Sequence, residues 1–368
     1  MNNAEQRRID EHYMRMAISL AVRGTGETSP NPRVGCVIVK DGSVIGKGWH
    51  RKYGGPHAEV DAVSHASRDI SGSDVYVTLE PCCHYGKTPP CADMLAGHKV
   101  KRVIIGMTDP NPVVNCKGIS VLENAGIKVD KGILEAECKW VNRGFIFKMK
   151  YKRPWVLIKS GISADGDIAL SNGESKWITG SVSRQIVHIL RSESDALLTG
   201  AGTVLADDPE LTVRGSEGRS PIRVVLDRTL RTPLSAKILN GGNLIFFADK
   251  SADKNKISDL EKKGAKVIIP DDGSSYDIKF ILSKLGENGV NYLMVEGGAG
   301  VTSSFIESGL ADEIALFAAP KIMGGGTHFT DKIKLQSMRE CIELKNIHTQ
   351  RCGEDLYLRG VFSCSPDL

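Results

Sequence analysis

The sequence predicts an α/β protein made of two three-layer α/β/α domains. Helix-period segments and short strand-like segments alternate along both halves of the chain, the pattern of a sheet covered by helices on each face. The length of 368 residues exceeds one ordinary domain and suits two, each able to bury a full core. Residues 148–154, KMKYKRP, form a charged connector ending in proline and place the boundary between a domain over 1–150 and one over 151–368.

Residues 11–23 carry Met14, Ile18, Leu20, Ala21 and Val22 at helical spacing and stop at Gly24 and Gly26. Residues 34–39 and 44–49 read as strands around Asp41-Gly42, a hairpin turn pair. A helix over 58–67, a strand over 74–79, a helix over 91–96 and a strand over 102–107 follow. A helix over 119–124, a strand over 127–130 and a longer helix over 134–147 complete the first half. The second half alternates again without repeating the sequence. Its strands are 155–159, 196–198, 222–226, 244–247, 266–269, 292–295 and 313–317, and its helices 181–192, 257–263, 278–284 and 300–308.

Composition excludes several classes of function. Hydrophobic residues make up 41% and charged residues 25%, as in ordinary soluble proteins. The net charge of +4 comes from 48 basic and 44 acidic side chains, dispersed with no basic stripe, so nucleic acid is not an expected partner. Apolar runs such as 103–105 and 244–247 are strand-sized, and the first ten residues lack the apolar core of a signal peptide. Nine cysteines, an odd number at irregular spacing, read as reduced thiols in a cytoplasm and are compatible with a zinc site.

Chemistry concentrates in His57-Ala58-Glu59, Pro81-Cys82 and Pro90-Cys91. A histidine and two thiolates hold Zn²⁺ and leave a fourth position for water, whose pKa falls to about 7, while a nearby glutamate moves protons. The predicted elements put His57 and Glu59 at one helix start and Cys82 and Cys91 near another, where helix dipoles favour thiolates. Each residue alone is compatible with a buried histidine or a core thiol. A closed structural site completed by Cys83 or His84 is the other alternative, and it leaves Glu59 without a role. Residues 83–90 separate the two cysteines, in place of the short P-C-x-x-C expected of a cytidine or tRNA-editing deaminase. In the second half, Val295-Glu296-Gly297-Gly298-Ala299-Gly300 follows a predicted strand and opens a helix, presenting backbone N–H groups to a phosphate. No GxGxxG fingerprint accompanies it.

Pro30-Asn31-Pro32-Arg33-Val34-Gly35, Gly48-Trp49-His50, His57-Ala58-Glu59, Thr78-Leu79-Glu80-Pro81-Cys82-Cys83-His84, Gly86-Lys87-Thr88-Pro89-Pro90-Cys91 and Asp109-Pro110-Asn111-Pro112 resemble the deaminase half of the RibD family of bifunctional riboflavin-biosynthesis enzymes. The long insert between the cysteines is a feature of that family. Lys159 to Gly166, Gly173 to Thr179 and Leu205 to Arg214 resemble its reductase half, so the resemblance covers essentially the whole chain. It implies a cytidine-deaminase-like N-terminal domain and a dihydrofolate-reductase-like C-terminal domain. His57, Cys82 and Cys91 would then ligate zinc and Glu59 would shuttle protons, with Asn31, His50, His84, Lys87 and Asn111 contacting a pyrimidine ribotide. Lys159, Gly161, Trp177, Thr203 and Asp207 would line an NADPH site, with Gly298, Ala299, Gly300, Val301, Thr302, Ser303 and Ser304 as its phosphate turn. Ser175, Arg191, Leu211, Arg214 and Glu296 would face the second substrate.

The implied reactions are deamination of 2,5-diamino-6-ribosylamino-4(3H)-pyrimidinone 5′-phosphate and NADPH-dependent reduction of the ribosyl group of the product to ribityl. The implied partners are these small phosphorylated pyrimidines and further copies of the chain, as a homodimer or homotetramer. The alternative function is a zinc-stabilised nucleotide-binding protein without deaminase activity.

Overall fold

Alternation within the strands builds both sheets. In β1 (Gly35–Lys40), Cys36 and Ile38 pack on one face and Val37 and Val39 on the other, all four buried. A strand buried on both sides requires helices on both. The structure, a computed structural model, describes residues 3–83, 89–111, 115–214 and 219–368. The chain divides into two compact units, one up to Lys152 and one from Arg153 to Asp367.

The first unit contains α1 (Asn3–Val22), β1, β2 (Ser43–Trp49), α2 (Ala58–Ser64), β3 (Asp74–Leu79), α3 (Cys91–Gly97), β4 (Arg102–Met107), α4 (Lys117–Asn124), β5 (Lys128–Lys131), α5 (Glu135–Val141) and α6 (Arg143–Tyr151). Its sheet runs β2-β1-β3-β4-β5, with β1 antiparallel to both neighbours and β3, β4 and β5 parallel. Ala58 and Ala62 of α2, Ala92 and Leu95 of α3 and Ile119 and Leu122 of α4 pack on one face. Met14 and Ala17 of α1, Cys138 of α5 and Ile146 of α6 pack on the other.

Two predicted helices differ in extent for polar reasons. The helix expected over 134–147 is two helices meeting at Asn142, whose amide bonds both backbone groups of Arg33 at 2.8 and 2.9 Å. Helix α1 begins well before residue 11. Its early turns are held by buried Asp10, which pairs with Arg102 and accepts from Tyr76 Oη at 2.8 Å, contacts with no hydrophobic signature.

The second unit contains β6 (Trp155–Ile162), β7 (Asp167–Ala169), α7 (Ser181–Glu193), β8 (Ala196–Gly200), α8 (Ala201–Asp207), β9 (Ile222–Leu226), β10 (Leu244–Phe247), α9 (Lys254–Lys262), β11 (Ala265–Ile268), α10 (Ile278–Glu287), β12 (Tyr292–Val295), α11 (Ala299–Glu307), β13 (Glu313–Ala318), β14 (Thr327–His328), β15 (Leu344–Cys352) and β16 (Asp355–Phe362). Its main sheet runs β11-β10-β9-β8-β12-β6-β13-β16-β15, parallel from β11 to β13 and antiparallel beyond. Helices α7, α8 and α9 cover one face, and α10 and α11 the other. β7 and β14 form a separate small ribbon. In each unit the parallel strands end at one edge, where open α/β sheets form their ligand crevices.

Gly48 of β2 sets how closely α2 approaches the sheet. A Cβ at this position would run into the backbone of Ala58 and Ala62. Gly48→Ala is expected to cost roughly 1–3 kcal/mol through overpacking, read as a lower midpoint in urea unfolding of the first unit.

Candidate functional site

At the first crevice three separate elements bring ligand atoms to one point. His57 is the cap residue of α2, Cys91 is the first residue of α3, and Cys82 lies just past the end of β3. Nδ1 of His57 is 3.3 Å from Sγ of Cys91 and 3.4 Å from Sγ of Cys82, and the three ligand atoms all lie within 4.8 Å of one another. Tetrahedral zinc, with bonds of about 2.3 Å to sulfur and 2.0–2.1 Å to nitrogen, separates such atoms by about 3.6 Å. The donor set therefore has the spacing and the chemistry of three corners of a zinc site. The backbone N–H of Cys91 donates to Cys82 Sγ at 3.4 Å. Its bond with the Cys91 side chain, and then with His57, lowers the Cys82 thiol to about 4 against the effect of burial. Cys83 is not part of the cluster.

Glu59, in the first turn of the helix that His57 caps, is 3% exposed. Burial pushes its carboxyl up to about 7, the Cys82 charge adds to this, and His57 opposes it. A carboxyl titrating near neutrality can both accept and return a proton.

A cavity of about 190 Å³ opens beside these groups, lined by Asn31, His50, His57, Glu59, Cys82 and Asn111 together with Pro32, Val34, Ala58, Leu79, Glu80, Asp109 and Phe145. The Pro56 carbonyl lies 2.8 Å from His50 Nδ1, which therefore carries the proton. Nε2 then accepts from Asn31 Nδ2 at 3.2 Å, fixing the Asn31 amide with its nitrogen toward the ring. Burial lowers the His50 pKa, in keeping with a neutral imidazole. The predicted contacts His84 and Lys87 lie outside the described residues. Asp109 was read from sequence only as part of the Asp109–Pro112 motif, without a role, and Phe145 was not singled out.

The second crevice holds a pocket of about 390 Å³ at the ends of the central strands β8, β12 and β6. Lys159 and Gly161 reach it from β6, Arg191 and His188 from α7, Thr203 and Asp207 from α8, and Glu296, Gly297 and Gly298 from the turn after β12. Ser175 and Trp177 line it with Lys176, Thr179, Arg184 and Arg214. Trp177 is 65% exposed, and the Arg184 guanidinium lies 4.6 Å from its ring centre, so it is no core aromatic. Lys176 and Thr179 lie in the Gly173–Thr179 motif without having been assigned a role, and Arg184 and His188 belong to no motif. Asp207 accepts from Ser175 Oγ at 3.4 Å and pairs with Lys176 at 3.4 Å.

Glu296 organises this pocket. Its carboxylate takes Arg191 in a fork, Nε at 3.0 Å and Nη2 at 2.9 Å, and Lys159 Nζ at 2.9 Å. Burial alone would raise its pKa, yet the Lys159 and Arg191 charges hold it well below the ordinary carboxylate range. Arg191 Nη1 is also committed, to the Thr212 carbonyl at 3.2 Å, so the more exposed Arg214 is better placed to meet a phosphate.

Not every expected residue reaches the pocket. Leu211 is buried in the core beneath α7 and α8. Ala299, Gly300, Val301, Thr302, Ser303 and Ser304 are the opening turns of α11, with Ala299, Thr302 and Ser303 buried, so from the phosphate turn Gly298 and its neighbour Gly297 face the space. Those glycines form a cradle: a Cβ on Gly297 would meet Val301 Cβ at 2.9 Å, and one on Gly200 would meet Val301 Cγ2 at 2.8 Å.

Comparisons with known proteins find a family for each unit. The cytidine and deoxycytidylate deaminase zinc-binding region matches residues 7–107, and the RibD C-terminal domain matches residues 154–358. The riboflavin biosynthesis protein RibD of Aquifex aeolicus (strain VF5) is 42% identical over 353 residues, covering 96% of this chain and 98% of its own. This chain belongs to the RibD family. RibD of Escherichia coli (strain K12) is 40% identical over 366 residues, 96% of this chain and 99% of its own. Acinetobacter baumannii RibD superimposes with a TM-score of 0.90 at 38% identity, over 97% of this chain and 99% of that one. The deaminase/reductase of Thermotoga maritima gives 0.87 at 36% identity, again over 97% and 99%. As a RibD-family enzyme, the protein is a bifunctional deaminase and reductase of riboflavin biosynthesis. Its first unit has the cytidine-deaminase-like fold and its second the dihydrofolate-reductase-like fold.

Replacing Glu296 by Gln leaves Lys159 and Arg191 without their counter-charge, at an expected cost on the order of 3 kcal/mol. Because the folded carboxyl is depressed, its contribution is fully present above pH 4.5 and is lost as the pH falls below that value. The gap in thermal midpoint between wild type and Glu296→Gln is therefore expected to be wide at neutral pH and to narrow below 4.5.

Proposed function

We propose that the first crevice binds one Zn²⁺ through His57, Cys82 and Cys91 and deaminates 2,5-diamino-6-ribosylamino-4(3H)-pyrimidinone 5′-phosphate. The observation that carries this is the His57–Cys82–Cys91 triangle, with its 3.3 and 3.4 Å edges, beside the buried Glu59. When bound, zinc supplies a Lewis acid that makes water reactive near neutral pH. Glu59 takes a proton from the attacking water and gives it to the ring nitrogen; it then carries the second proton, from the hydroxyl now on carbon, to the departing amine. The C–N bond breaks and ammonia leaves. Asn31 and Asn111 hold the polar edge of the ring and its ribose, and His50 keeps Asn31 in one orientation.

The second crevice takes NADPH and the deaminated ribotide, 5-amino-6-(5-phosphoribosylamino)uracil. The Gly297–Gly298 cradle at the start of α11 suits a cofactor phosphate. NADPH supplies the hydride when bound. Arg214 meets the substrate phosphate, and Lys159, on β6 and held by Glu296, stands beside the reacting ribose. All nine cysteines are free thiols, which supports a cytoplasmic setting, and the expected assembly is a homodimer or homotetramer. Among the described residues no helix is long and apolar enough to cross a membrane.

The test follows ammonia release and NADPH consumption together on the diaminopyrimidine ribotide. Glu59→Gln is expected to keep its zinc, to lose at least about 10²-fold in ammonia release, and to consume NADPH only when the deaminated intermediate is supplied. Cys91→Ala is expected to lose both zinc and ammonia release while still reducing the intermediate. Wild-type protein that holds zinc and releases no ammonia would instead be a zinc-stabilised binding protein.

A further inference from the structure

Glu80 stands between the zinc-site strand and the loop that carries Asn111. It follows β3 directly, two residues before Cys82, and is 3% exposed. Among the described residues no ion pair reaches its carboxylate; backbone N–H groups do. Oε2 accepts from Asp109 N at 3.2 Å and Cys116 N at 3.1 Å, and Oε1 accepts from Gly118 N at 3.1 Å and Ile119 N at 3.4 Å. A carboxylate has about four acceptor positions, so these bonds saturate it. Although Glu80 borders the deaminase cavity, nothing remains on it for a substrate.

All four donors belong to the segment between β4 and the first turns of α4. Within it Asp109 Oδ1 accepts from Asn111 N at 2.8 Å, carrying the constraint from Glu80 to the residue that lines the cavity. Cys116, whose N–H is held by the same carboxylate, has a left-handed φ of 59°, a conformation uncommon for a non-glycine residue. Gly118 lets the segment lie flat on the strand end, since a Cβ there would collide with the Pro81 carbonyl oxygen. The chemistry requires an anion. A glutamine can offer one oxygen to two of these N–H groups, but its NH₂ would face the other two, donor against donor.

We propose that Glu80 is a positioning residue for deamination: it fixes the loop that presents Asn111 to the pyrimidine ribotide, without touching substrate, zinc or the transferred proton. This rests on the reading of the first crevice as the deaminase site. It separates binding from chemistry, because His57, Glu59, Cys82 and Cys91 are held by α2, α3 and the end of β3 and not by the 109–119 loop.

The test is steady-state deamination by the full-length, zinc-loaded enzyme, with zinc content and reduction of the deaminated intermediate measured on the same preparations. Glu80→Gln is expected to raise KM about tenfold or more with kcat held within about twofold, zinc retained and reductase activity unchanged. Asn111→Ala is expected to raise KM similarly, and Glu80→Gln added to Asn111→Ala to raise it no further. Multiplying effects in the double variant, or a fall in kcat with KM unmoved, would overturn the positioning role. Should Glu80→Gln lose zinc, Gly118→Ala decides, since it lifts the loop while leaving the carboxylate intact. A raised KM that disappears in the Asn111→Ala background supports the proposal, and an unchanged KM overturns it. An Asn111→Ala enzyme with wild-type KM would overturn the assignment of Asn111 itself, and the inference with it. KM raised by Asn111→Ala but not by Glu80→Gln would overturn the Glu80 role alone.

Discussion

The crowding of one imidazole and two sulfurs is the constraint on which the first unit depends. His57 Nδ1 lies within 3.4 Å of both Cys82 and Cys91, in a part of the molecule that shields them from most water. Polar groups packed that closely are costly unless something satisfies them, and a soft divalent cation is the partner their chemistry selects. Holding them there fixes the rest: α2 and α3 must begin at the ends of their connecting turns, β3 must end at Leu79, and α2 must sit hard against Gly48. The same arrangement places Glu59 where burial brings its carboxyl near neutrality. Fold and chemistry in this unit therefore share one requirement.

The second unit applies the same principle without a metal. Its charged centre is Glu296, gripped by Lys159 and Arg191 at the ends of the central parallel strands. Opposite charges satisfy one another, so the pocket keeps a fixed polar floor before any ligand enters. The walls are less committed: Arg214 and Trp177 are exposed, and the glycine turn offers backbone in place of side chains. A rigid floor with open cationic walls suits a large phosphorylated cofactor together with a phosphorylated substrate.

Much of this was legible in the sequence, and the omissions have physical causes. The sheet strands with buried, β-branched runs, such as 74–79 and 222–226, could be read because burial on both faces demands apolar side chains. β15 is mostly exposed and polar, Leu344 to Cys352, and pairs only with β16 among the described strands, so no periodicity announces it. The break at Asn142 arises from bonds to Arg33, more than a hundred positions away, which no local pattern encodes. The zinc-site residues were visible because their chemistry restricts them to few residue types. Arg184 and His188 were not, since they enter their pocket through the packing of α7, which has no motif of its own. Leu211 shows the converse: its sequence neighbourhood pointed to the pocket, while its side chain went to the core.

The central claim is an open zinc site with two thiolates and one imidazole. Zinc K-edge X-ray absorption on the full-length, zinc-loaded chain tests it most directly. The account predicts two sulfur scatterers at about 2.3 Å and two nitrogen or oxygen scatterers at about 2.0–2.1 Å, with the multiple-scattering signature of a single imidazole. A third sulfur, or a second imidazole, would mean a closed structural site and would contradict the account.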